Sequence, residues 1–133
     1  MKALFSSRGL EEYIEDIQQA GKDIDAAVQR ALTAGGAVML DGMRDMVPVD
    51  QGDLLKALVI NGPYQDGNLI SVEIGIDYDA PAEIHIIGGV QEYGSPSKHI
   101  PPQSYIRAAW DRFKRRTMKA IVDSLKADRM VDA

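Results

Sequence analysis

Residues 90–110 read VQEYGSPSKHIPPQSYIRAAW, and the rest of the chain is read outward from them. The stretch predicts an extended segment up to Tyr93, a glycine at 94, a polar loop over 95–99, and a helix that starts after Pro101-Pro102. Proline holds φ near −65° and lacks an N–H, so Pro102 suits the entry to a first helical turn. The residue before each proline is pushed out of the α region, which makes Ile100 and Pro101 extended. A long loop therefore enters a helix at a defined angle.

Downstream, a final helix over about 103–126 carries Ile106, Trp110, Phe113, Thr117, Ile121 and Leu125 at helical spacing and is expected to bury them. Arg112, Arg115, Arg116 and Lys119 fall elsewhere on its surface. Upstream, Glu83–Ile87 and Val90–Tyr93 flank Gly88-Gly89, a pattern that predicts a two-residue β-hairpin turn. Leu69–Tyr78 alternates apolar and polar residues, which predicts a strand with Ile70, Val72, Ile74 and Ile76 facing a core. Leu54–Asn61 predicts another strand, followed by a breaker-rich loop through Asn61-Gly62-Pro63 and Asp66-Gly67-Asn68.

The N-terminal half is helical in period. Leu10, Tyr13, Ile14 and Ile17 mark a first helix, with Ser7 the expected N-cap. Ile24, Val28, Ala31, Gly35, Val38, Gly42 and Met46 trace a second, longer one that Pro48 ends. Glycine inside a helix costs about 1 kcal/mol relative to alanine, so Gly35, Gly36 and Gly42 demand either a close neighbour or a kink. Lys2–Phe5 reads as an edge strand or an arm. The expectation is one α+β domain over residues 1–133: N-terminal helices and a C-terminal helix packed on an antiparallel sheet of about four strands. Residues 1–7 form the arm or edge strand, 94–102 an exposed loop that partner contact orders, and 128–133 a frayed tail.

Composition narrows the chemistry. Cysteine is absent, which removes disulfides, thiolate metal sites and a cysteine nucleophile. His85 and His99 carry neither metal-ligand spacing nor a nucleophile elbow. Asp77-Tyr78-Asp79 lacks the alternating ligands of a calcium loop. No phosphate-cradling glycine motif occurs. No apolar run reaches the roughly 18 residues of a membrane span, and the start lacks the pattern of a signal peptide. The expectation is a soluble non-enzyme without cofactor, metal or membrane partner. The net charge of −5 is unevenly spread: residues 1–50 hold nine acids and five bases, 51–103 seven and two, and 104–133 four and eight. An acidic body with a basic C-terminal helix can pair with itself or with a neighbouring copy, or the helix is a solvated face of mixed charge. The alternative is a nucleic-acid-binding or regulatory module on that helix, against which stands a pI near 4.9.

Two motifs carry a resemblance. Glu92-Tyr93-Gly94, the polar loop, Pro101-Pro102-Gln103 and the aromatic-aliphatic-Arg-Ala start at Tyr105 resemble the small neck or tail-completion (head-tail joining) proteins of long-tailed phages. Met46-Val47-Pro48-Val49-Asp50-Gln51-Gly52-Asp53-Leu54 is similar to the same family's proline-Asp-Thr-Gly turn, with Gln51 where that family has Thr and Ser104-Tyr105 where it has Pro-Phe. The resemblance spans roughly residues 8–125. It implies a virion structural protein assembled in the host cytoplasm as a homo-oligomeric ring at the head-tail junction or tail end. Such a ring contacts other connector or tail proteins, and DNA passes it without specific binding. Tyr93, Gly94, Lys98, His99, Arg112, Arg115, Arg116 and Lys119 are the expected interface residues.

Overall fold

The computed structural model describes residues 3–6, 10–48 and 51–130. In chain order these are β1 (Ala3–Ser6), α1 (Glu11–Gln19), α2 (Ile24–Met46), α3 (Gly52–Ala57), β2 (Leu58–Asp66), β3 (Leu69–Ile76), α4 (Ala82–Tyr93), a 3-10 turn (Pro96–Lys98) and α5 (Tyr105–Met130). The sheet is antiparallel in the order β1-β3-β2, a hairpin of β2 and β3 extended by a four-residue edge strand. The α+β class stands, but about four strands does not.

The two long helices form the frame. Asp23 caps α2 by accepting the Ala26 N–H at 3.1 Å. The helix then runs unbroken through Gly35-Gly36, so these glycines answer to a neighbour and not to a kink. A Cβ built at Gly35 would lie 2.5 Å from Ile121 Cγ1, and one at Gly42 only 2.3 Å from Phe113 Cδ2. As α2 advances from 35 to 42, its contacts on α5 retreat from 121 to 113, so the helices are antiparallel. Arg30 near the start of α2 accordingly meets Asp128 near the end of α5 at 2.9 Å. The two helices bring Ala31, Leu32, Met39, Met43, Ala109, Phe113, Ile121 and Leu125 into the core, all buried. Fully burying one such aliphatic or aromatic side chain stabilises the fold by about 1.5–3 kcal/mol. Thr117, also fully buried, leaves its hydroxyl unpaired in this seam.

β3 lays Ile70, Val72 and Ile74 on the core, while Ile76 is half-buried. Trp110 departs from expectation: it is 38% exposed, and Ala109 occupies the core position beside it. The buried row of α5 is Tyr105, Ala109, Phe113, Thr117, Ile121 and Leu125, spaced by four, of which Phe113, Thr117 and Ile121 meet the glycines of α2.

Three further expectations are corrected. Residues 54–57 lie in α3, not in a strand, and β2 starts at Leu58. The Asn61-Gly62-Pro63 breakers sit inside β2 as a bulge, the register shifting between Asn61 and Tyr64. An edge strand tolerates this because the bulge takes the proline, which cannot donate to the ladder. Finally, residues 82–93 are helix α4 and not a hairpin. Ile84, Gly88 and Glu92 recur every four residues on its buried face, and a Cβ at Gly88 would lie 2.3 Å from Ile76 Cδ1. That glycine permits close packing; it does not turn the chain. Ser7 lies outside the described residues, and the residue preceding α1 is Leu10, with no side-chain cap.

Candidate functional site

The junction of α4, the 94–102 loop and α5 is built around Glu92. Its side chain is 1% exposed. Ile106 N–H donates to Oε2 at 2.8 Å and Arg107 N–H to Oε1 at 3.2 Å, so a carboxylate from one helix caps the next. Ser104 Oγ donates to the Glu92 carbonyl at 2.7 Å, and Gln103 N–H donates to the Gln91 carbonyl at 2.7 Å. The first turn of α5 carries no acid of its own. A helix N-terminus presents unpaired N–H groups and partial positive charge, and Glu92 answers both. In the sequence Glu92 stands out only as part of the Glu92-Tyr93-Gly94 motif. The signal that could have found its role is a long helix whose first turn holds Arg107 and no acid.

Between its ends the loop is closed on itself. Ser95 and Ile100 exchange both backbone hydrogen bonds, at 2.9 and 3.0 Å. Gly94 has φ +73°, and a Cβ there would lie 2.7 Å from the Ile100 carbonyl oxygen, so only glycine fits. His99 also takes a left-handed conformation, φ 56°. Pro96, Ser97, Lys98 and His99 are exposed at the tip, and Tyr93 is 51% exposed beside it.

A cleft of about 280 Å³ opens at the junction, lined by Asn61, Ile76, Tyr78, His85, Gly88 and Tyr105 among others. Burial, and then the negative charge of Glu92, push the Tyr105 hydroxyl up to about 12. A tyrosine in the unfolded chain ionises near 10, so the stability gained by keeping Tyr105 neutral is complete below pH 10 and is lost as pH rises toward 12. Spectrophotometric titration of the five tyrosines should show one late step that Tyr105→Phe removes. An unchanged late step in that variant would assign it to another tyrosine.

The other expected residues lie on α5. Arg112, Arg115, Arg116 and Lys119 are exposed at spacings of three and four, which places them on one face. They are not equivalent. Arg112 and Arg116 lie over the Phe113 ring at 5.7 and 5.4 Å from its centroid, within cation-π range. Lys119 pairs with Asp123 at 2.7 Å, and its hydrogen bond holds the Asp123 carboxyl below the usual range. Arg115 makes no ion pair among the described residues. The structure thus gathers the eight predicted residues into two sets, one at the end of α4 and along the loop and one on α5, with no hydrogen bond or ion pair between them among the described residues.

Among the described residues no group of histidines and carboxylates is arranged to hold a metal ion, and no helix is long and apolar enough to cross a membrane. No curated protein and no solved structure matches the chain. Residues 10–94, however, match the family model described as "Bacteriophage HK97-gp10, putative tail-component". That match takes in α1 through α4 and ends at the glycine that opens the loop, and it gives no support to a nucleic-acid-binding module. The chain belongs to the HK97-gp10-like family of phage tail components.

Proposed function

We propose that the protein is a structural subunit of the head-tail junction or tail end, a neck or tail-completion component that assembles as a ring. Family membership supports a tail component, which belongs in the virion among other phage proteins. The observation that carries the finer reading is the separation of charge onto different elements. The exposed face of α5 is basic, while Asp53, Asp77, Asp79 and Glu83 gather about α3 and the start of α4. A subunit with two unlike complementary faces can repeat around an axis until the rotation closes. The loop tip at Lys98 and His99, with Tyr93 and Gly94 at its base, would reach a neighbouring copy or an adjoining connector or tail protein. Acids turned to the lumen would keep passing DNA from adhering.

Light scattering on the purified full chain, with electron microscopy of the same sample, tests this. The expected result is a closed ring of one stoichiometry, with hydrogen exchange at 94–102 slowed on assembly. A monomer at every concentration, alone and with tail or connector proteins, would overturn it.

A further inference from the structure

The exposed side of α4 is as apolar as its buried side. Ala82, Ile86, Gly89 and Tyr93 follow one another at spacings of three and four, with Ile86 66% exposed and open space over Gly89. A surface helix of a monomer normally turns polar residues outward, and an apolar outer stripe marks a face that something covers. At its N-terminal end this stripe meets the depression of about 400 Å³ lined by Asp53, Asp77, Asp79 and Glu83 against a single lysine, Lys56. Asp53, Asp79 and Glu83 form no ion pair among the described residues.

α5 presents the counterpart. Trp110, Lys114 and Met118 recur every four residues on its outward side, with Trp110 38% and Met118 48% exposed. Arg107 and Arg115 flank this row, and neither Lys114 nor Arg115 makes an ion pair among the described residues. One surface is therefore apolar with acids that form no ion pair among the described residues, and the other apolar with bases that form none, Asp111 being the one acid among them. Apolar contact would supply the affinity and opposite charge the register.

We infer that the Trp110-Lys114-Met118 row of one copy docks on the Ile86–Tyr93 stripe of another, with Lys114 and Arg115 set against Asp79 and Glu83. The partner is a second copy of this chain because both complementary surfaces are on it. The inference rests on the ring reading only in taking self-association to be the functional state. It moves the contact from the stripe centred on Arg112 and Lys119 to the adjoining row, where the charges are free and apolar area lies beside them.

Two full-length double variants test it, one with Asp79→Lys and Glu83→Lys, the other with Lys114→Glu and Arg115→Glu. These changes lie on the surface, and cooperative melting would verify that each variant folds. Each alone should weaken self-association at least about tenfold through like-charge contact. Mixed together, they pair the two unaltered faces at one junction and two reversed but again opposite faces at the next, so the mixture should assemble where neither variant does alone. Trp110 is the chain's one tryptophan, so its emission should shift to the blue when the wild type assembles and when the two variants pair. Wild-type-like assembly of either variant, or unchanged Trp110 emission on assembly, would overturn the interface while leaving a ring intact. A wild-type dimer that never grows, yet depends on both faces, would uphold the interface and overturn the ring. A wild type monomeric throughout would overturn both.

Discussion

Glu92→Ala should lower stability by about 2–4 kcal/mol, because it strips the acceptor from two backbone N–H groups and leaves them near the core. The Ile106 N–H is in a buried hydrogen bond and has no route to water, whereas that of Arg107 is only partly shielded. In a chain of this length the loss corresponds to a fall of roughly 10 °C in melting temperature. Glu92→Gln keeps the shape and one acceptor oxygen, so it should fall between the two. Hydrogen exchange gives a second readout: the Ile106 and Arg107 amides should exchange faster in Glu92→Ala, while amides in the middle of α2 change only by the global amount. A variant melting with the wild type and retaining slow exchange at both amides would show that α5 does not depend on this carboxylate. Fraying at this point would also loosen the start of the helix that carries Trp110 and Lys114, so assembly should weaken along with stability.

Gly42→Ala should destabilise the protein by about 1–3 kcal/mol although alanine is the better helix former. The intrinsic gain is about 1 kcal/mol. Against it, the new methyl would sit 2.3 Å from Phe113 Cδ2 and 2.6 Å from Cγ, the rigid base of the ring. Phe113 cannot yield there without separating α2 from α5, and overpacking of that kind costs more than the propensity returns. Gly36→Ala is the control on the same helix. Its Cβ would meet Ile60 Cδ1 at 3.4 Å, an ordinary contact, so that change should be neutral or stabilising by up to about 1 kcal/mol. Urea denaturation of the two variants therefore predicts opposite signs. Equal or raised stability for Gly42→Ala would mean that close approach is not what selects glycine in α2.

These glycines show where one-dimensional reasoning succeeds and stops. Periods sustained over many residues were legible: the stripes of α2 and α5 and the alternation in β3 each average over several turns or pleats, so the element survives even where one member, Trp110, is displaced. Short segments were not. Ile-His-Ile-Ile-Gly-Gly reads as strand and turn because α4 is apolar on both faces, which erases the helical period. The tertiary contact of Gly88 with Ile76 decided the matter. Pro63 reads as a loop residue, yet an edge strand with a bulge accommodates it. Trp110 has the spacing of a core residue, but the buried row of α5 recurs every four residues from Tyr105 and passes through Ala109.

The candidate site divides along the same line. By itself the sequence determined the unequal charge of its segments, the absence of cysteine and the turn motifs that carry the family resemblance, since these depend on residue identity and local order. Only the tertiary structure decided that Glu92 caps α5 from the neighbouring helix and that Ile86 and Trp110 face outward. Each of those depends on where one element meets another, and that distance is set by packing across residues far apart in the chain.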